Sequence, residues 1–264
     1  KEKLKLSEAI EGTQSKLRMA VHRQLVADVS VGAFLSGGLD SSAIAAFARE
    51  VNPEIKCFTI DAGRSIDGGV DDLPYARKVA KHLSLPLEVV SIDASQMATN
   101  LIDMVEMLDE PLADPAPLNV LYISQLARSQ GIKVLLSGAG GDDLFTGYRR
   151  HRAVKIDQFL SVLPPSVRGS LANVGNGLNQ NVPVFRKLSK FLAGIELSGD
   201  QRLVNYFRWA KNSDLVQLYT PNFRALLQDT VAEQPMYDFL QGVENSSVLE
   251  RMLLLEQKFF LPDH

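Results

Sequence analysis

A doubly wound α/β sheet, with parallel strands joined by right-handed crossovers and helices on both faces, is the fold class this sequence predicts. Three observations predict it. Short apolar runs alternate with amphipathic stretches, two glycine-rich turns each follow an apolar run directly, and strand signals stop near residue 150 while helical periodicity continues. Residues 1–152 should therefore form an α/β region. Residues 153–264 should add an all-helical layer to the same domain.

The elements follow in order. In "SEAIEGTQSKLRMAVHRQLVADV", Leu17, Ala20, Val21, Leu25 and Val26 recur at helical spacing. "SVGAFL" has strand length, and "SSAIAAFARE" reads as the helix after it. "IKCFTIDAG" is strand-like, "DDLPYARKVAKHL" helix-like with Pro74 early in it, and "LEVVSID" strand-like again. "QMATNLIDMVEML" and "LNVLYISQLARSQG" read as two helices divided by "DEPLADPAP", and "KVLLSG" is a strand running into "GAGGDDLFTGY". Beyond it, "AVKIDQFLSVLP", "VFRKLSKFLAG", "QRLVNYFRWA" and "SSVLERMLLLEQKFFL" carry helical periodicity, with turns expected at Pro164, Pro165, Gly175, Gly177 and Pro221.

Composition narrows the class of function. A formal net charge of −3 over 264 residues favours neither nucleic acid nor an anionic membrane surface. No apolar stretch is long enough to cross a bilayer, and no basic start precedes an apolar block, so a cytoplasmic location is expected. The single cysteine, Cys57, has no partner for a disulfide and sits in "IKCFTI", where it reads as a small buried hydrophobe. His22, His82, His151 and His264 lack metal-ligand spacing and receive no catalytic role. Met97, Met104 and Met107 fall near one helical face and read as core; Tyr206, Phe207 and Trp209 read as packing for the helical layer. The basic cluster "YRRHR", Tyr148 to Arg152, reads as a solvated helix face rather than the alternative, a contact with phosphate or an anionic substrate.

In an open parallel sheet, ligands bind beyond the carboxyl ends of the strands. Both glycine-rich stretches, "SGGLDSS" and "SGAGGDD", fall at such ends. In the first, Gly37 and Gly38 let the backbone bend sharply and approach a ligand. The amides of Leu39 to Ser42 open a helix with its positive dipole end outward, and the hydroxyls of Ser36, Ser41 and Ser42 add donors. Asp40 beside phosphates requires a cation, which magnesium would supply. In the second loop Asp142 and Asp143 offer further carboxylates. The plainer alternative makes Ser36 and Gly37 a turn, Ser41 a helix cap, and Asp142 or Asp143 the N-cap of the next helix. The lysine of the common nucleotide loop is absent.

"SGGLDSS" is similar to the pyrophosphate-binding loop of the N-type ATP pyrophosphatases. "LVADVSVGAFLSGGLDSSAIAAFA", "LPYARKVAKHL", "LDEPLADPAPL" and "LLSGAGGDDLFTGY" resemble successive blocks of the synthetase domain of the asparagine synthetase family, over about residues 17 to 152. The resemblance implies an adenine nucleotide alpha hydrolase-like fold and an ATP- and Mg2+-dependent amide synthesis: a carboxylate is adenylated with release of pyrophosphate, and ammonia then displaces AMP. It implies Ser36, Gly37, Gly38, Leu39, Asp40, Ser41 and Ser42 on pyrophosphate, and Asp40 and Asp142 on magnesium. Phe34, Leu35, Ile60, Ser137 and Gly138 would lie near adenosine, and Asp40, Asp142 and Asp143 would be the catalytic carboxylates, Asp143 standing where the family usually has glutamate.

Two departures shape the expectation. Ala139 replaces a glutamate common in asparagine-forming members, which points to another acid, on a sugar or a peptide. The chain opens on Lys1 and closes on "EQKFFLPDH", so it reads as an excised synthetase domain, with ammonia coming from a glutaminase domain outside it. A homodimer is compatible with this reading. The alternatives are a tRNA-modifying relative of the same loop superfamily and a nucleotide-binding domain without catalysis.

Overall fold

A computed structural model describes residues 4–61, 71–109, 116–179, 181–208, 210, 212–227 and 231–263. The chain divides into two compact units, Lys1–Ala139 and Gly140–His264.

The first unit contains α1 (Leu6–Gln24), β1 (Val31–Phe34), α2 (Leu39–Val51), β2 (Cys57–Asp61), α3 (Leu73–Leu83), β3 (Leu87–Ser91), α4 (Ala94–Thr99), α5 (Leu101–Met107), α6 (Ala116–Ser129) and β4 (Val134–Leu136). The described strands form one parallel sheet in the order β3-β2-β1-β4, with Ala33 opposite Cys57 and Val31 opposite Val134. Successive residues of a strand face opposite sides, and the core divides accordingly. Ala33, Cys57 and Leu136 pack against Val21, Ala45, Ala48, Ala76 and Ala80 from α1, α2 and α3. Phe58, with Phe34, Ile60 and Leu135, packs against Ile123 and Ala127 of α6. Helices on both faces make the sheet doubly wound, as the alternation of signals predicts. The chain steps from β1 through β2 to β3, then crosses back to β4 on the other side of β1. That reversal is where such sheets open a crevice at their carboxyl ends.

Cys57 is fully buried, and desolvation pushes its thiol up to about 11. A disulfide reagent at neutral pH should therefore leave the folded protein unmodified and titrate one thiol only after denaturation, because the reactive thiolate is the minor form and is shielded. Rapid labelling of the native chain would contradict this.

The helix expected over residues 96–108 is two helices, broken at Asn100, whose backbone leaves the helical region at φ −91°, ψ 5°. A hydrogen bond network accounts for the break: Asn100 Nδ2 donates to the Tyr122 hydroxyl at 2.7 Å, and that hydroxyl donates to the Gln96 carbonyl at 3.1 Å. Met104 is buried and Met97 packs beside it, but Met107 is exposed, because α5 stops there and leaves its last turn outside the cluster. Within "DEPLADPAP", residues 110–115 lie outside the described set.

The second unit is helical throughout its described residues: α7 (Gly141–Phe145), α8 (Arg149–Leu160), α9 (Pro165–Asn176), α10 (Pro183–Leu192), α11 (Gly199–Asn205), α12 (Asn212–Leu218), α13 (Pro221–Leu226), α14 (Gln234–Gln241) and α15 (Val248–Phe259), closed by a 3-10 turn at Leu261–Asp263. Val154, Leu203, Val204, Phe207, Leu240, Met252 and Leu255 form its main core, with Tyr206 packed against it; Trp209 lies outside the described residues. Gly175, expected at a turn, lies inside α9. A β-carbon there would come 2.7 Å from Leu192 Cβ, so the glycine serves a close helix approach rather than a bend. Arg202 is buried and forks onto Asp157 at 2.9 and 3.1 Å, a geometry that makes a buried pair tolerable. Among the described residues no helix is long and apolar enough to cross a membrane.

Candidate functional site

β1 delivers the chain to the first loop through buried Leu35, whose amide donates to the Phe58 carbonyl at 2.9 Å and leaves its own carbonyl as the group it can offer a ligand. Gly37 then takes φ +78° and backs onto α3: a β-carbon there would meet the Ala76 nitrogen and the Tyr75 carbonyl carbon at 2.4 Å. No residue but glycine satisfies both conditions. Gly38 is the N-cap of α2, and no side chain caps the helix. Ser41 is therefore not the cap that the plainer reading allowed. Its hydroxyl sits 2.9 Å from the Ser36 hydroxyl and accepts from the Ser36 amide at 3.3 Å, and the Ser42 hydroxyl donates to the Gly38 carbonyl. The serines thus hold the loop in shape. The Ser42 amide, expected to face a ligand, donates instead to the Gly38 carbonyl at 3.1 Å, so the amides of Leu39, Asp40 and Ser41 are the ones with no acceptor inside the helix. An anion fits such a terminus.

Asp40 is half-buried in the first turn of α2. Phe34 and Ile60 are half-buried at the ends of neighbouring strands, beside the loop. Ser137 and Gly138 follow β4, and the structure brings them to the first loop: a β-carbon on Gly138 would lie 2.8 Å from the Ser41 nitrogen and 3.0 Å from the Asp40 carbonyl carbon. The two glycine-rich stretches therefore touch at their backbones.

In the second unit, Gly140 at φ +87° is the N-cap of α7, so neither Asp142 nor Asp143 caps it. The two aspartates differ sharply in setting. Asp142 is half-buried and its carboxylate folds over Gly147, where a β-carbon would lie 1.5 Å from Oδ1. Asp143 is fully buried and accepts from the Tyr148 hydroxyl at 3.2 Å. Burial first, then the Asp143 carboxylate, push the Tyr148 phenol up to about 12, so it remains a donor.

The basic cluster is a solvated face only in part: Arg149 and Arg152 are exposed, but Tyr148 and Arg150 are half-buried and His151 is buried. It forms the first turn of α8, which starts earlier than the apolar periodicity indicates, and His151 and Glu256 of α15 are both buried. His151 Nε2 lies 2.8 Å from Glu256 Oε2, and Arg150 pairs with the same carboxylate while stacking 4.0 Å above the Tyr148 ring. Sequence reasoning missed this network, because its carboxylate comes from 105 residues away.

The described residues form no group of three or more His, Cys, Asp or Glu that could hold a metal. Magnesium bound through phosphates needs only one or two carboxylates from a protein; each unit holds a half-buried one, Asp40 in the first and Asp142 in the second.

The asparagine synthase family model matches residues 12–264. The chain belongs to the asparagine synthase family. Among its relatives, asparagine synthetase [glutamine-hydrolyzing] 1 of Bacillus subtilis is 34% identical over 85% of this chain and 35% of that protein. A putative asparagine synthetase [glutamine-hydrolyzing] of Mycobacterium tuberculosis is 36% identical over 63% of this chain and 25% of that protein. Amidase chyE of Penicillium rubens is 32% identical over 55% and 24%. The chain thus spans a quarter to a third of the length of these curated relatives.

Proposed function

We propose that this chain binds Mg·ATP at Ser36–Ser42 and activates a carboxylic acid by adenylation, so that ammonia can convert it to an amide. The observation that carries the reading is the uncapped start of α2 behind a glycine-shaped loop, with Gly138 set against it. Outward amides would stabilise the charge that develops on a departing pyrophosphate, without reorganising during the reaction. Magnesium would neutralise that charge when bound, with Asp40 and Asp142 as its protein ligands. The backbone near Phe34, Leu35 and Ile60 would border adenosine, along with Ser137 and Gly138.

Family membership supports this chemistry, and the relatives' names support glutamine as nitrogen donor, with ammonia supplied from outside these 264 residues. Ala139 offers no carboxylate, which favours an acid other than aspartate, on a sugar or a peptide. A cytoplasmic enzyme acting on a small molecule, with neither nucleic acid nor membrane as partner, fits the balanced charge.

Incubation of the full chain with ATP, Mg2+, ammonium and a panel of carboxylic acids should release AMP and pyrophosphate in equal amounts, only with the matching acid. Release of ADP alone would overturn the reading. Tight ATP binding with no turnover on any acid would instead favour a nucleotide-binding domain.

A further inference from the structure

Besides Arg202, already paired with Asp157, the second unit buries Asp143 and Glu256 at 0% exposure and His151 at 1%, none of which the proposed chemistry uses directly. Buried charge is costly unless paired, so such a group of residues is retained where it holds something in place. Here the contacts run in one line. Glu256 Oε1 and Oε2 take His151 Nε2 at 3.0 and 2.8 Å and also take the Arg150 guanidinium. That guanidinium lies over the Tyr148 ring at 4.0 Å and the Phe207 ring at 5.2 Å. The Tyr148 hydroxyl reaches Asp143 Oδ2 at 3.2 Å, inside α7.

The loop at the end of this line needs holding. Thr146, which is not glycine, sits at φ +67°, a left-handed conformation that persists only where its surroundings over-determine it. Its neighbour Gly147 is pressed by the Asp142 carboxylate. On the other side of α7, Leu261 Cδ1 lies 2.5 Å from where a β-carbon on Gly140 would be, so the 3-10 turn after α15 closes on the start of the same loop.

We propose that Tyr148, backed by Arg150, Glu256 and His151, is a positioning residue for the second loop: it fixes α7 and so sets the direction of the carboxylate of Asp142, the magnesium ligand proposed for this loop. This rests on the proposed function for the metal, but the clamp on α7 can be read without it. Support behind a metal ligand is typically worth tenfold or more in metal affinity.

Tyr148→Phe tests the idea, because it keeps the ring under Arg150 and removes only the hydroxyl. The magnesium concentration for half-maximal ATP binding should rise about tenfold, while ATP affinity at saturating magnesium stays at the wild-type value; the melting temperature should fall modestly, because buried Asp143 loses a donor. In the chain without ligands, hydrogen exchange at the α7 amides should quicken while α8 is unchanged. Glu256→Gln should shift the magnesium dependence in the same direction; if it does not fold, Tyr148→Phe decides alone. A wild-type magnesium dependence in Tyr148→Phe overturns the proposal. Should the unmutated chain bind no ATP at any magnesium concentration, the proposed function falls, and unchanged exchange at α7 would then overturn the clamp as well.

Discussion

Gly37→Ala should cost the chain about a hundredfold or more in ATP affinity, ~2.7 kcal/mol, measured by calorimetry at saturating magnesium. Two penalties combine. At φ +78° an L-residue is left-handed, which costs about 1–2 kcal/mol. The new methyl would also sit 2.4 Å from the Ala76 nitrogen and the Tyr75 carbonyl carbon. Those are backbone atoms of α3 and cannot swing aside, so the loop itself must move and the outward amides lose their common direction. Gly38→Ala is the control. Its β-carbon would meet only the Ser36 hydroxyl, at 3.4 Å, and φ there is −69°. It should bind ATP within a few-fold of wild type. Equal binding by Gly37→Ala and the unmutated chain would show that the loop does not carry the nucleotide.

The second large effect is on stability. Glu256→Ala removes the buried carboxylate that pairs with both Arg150 and His151, and leaves a buried imidazole and a half-buried guanidinium without it. Breaking a buried pair from one side costs about 3–5 kcal/mol, which for a chain of this length lowers the melting temperature by roughly 10 °C. Thermal denaturation followed by circular dichroism would measure it. Glu256→Gln, which keeps the shape and one acceptor oxygen, should lose less. A melting point unchanged in Glu256→Ala would mean that the α8 and α15 contact contributes nothing to folding.

Much of the first unit was legible because its signals are local. Strand-length apolar runs ending in glycine mark β1 and β4, and the residues that shape the loop, Gly37 and Gly38, are themselves the signal. Legibility fails where a distant partner decides. Asn100 interrupts a helix because Tyr122 is across from it. Gly175 resembles a breaker but lies in a helix because Leu192 packs against it. The cluster from Tyr148 to Arg152 is polar in composition, yet Glu256 draws His151 and Arg150 inward. The two adjacent aspartates are equivalent on paper, and only the chain's path makes Asp143 a buried acceptor while Asp142 remains half-buried.

The surface that shapes the first loop from behind is mostly main chain. Gly37 meets the Ala76 nitrogen, the Tyr75 carbonyl carbon and the Tyr75 β-carbon, atoms that almost any pair of residues would present. The Tyr75 ring, on a residue 55% exposed, takes no part in that contact. The outward side of α3 is thus free to drift or to be redesigned, for a label or an attachment point, without altering the cradle beneath.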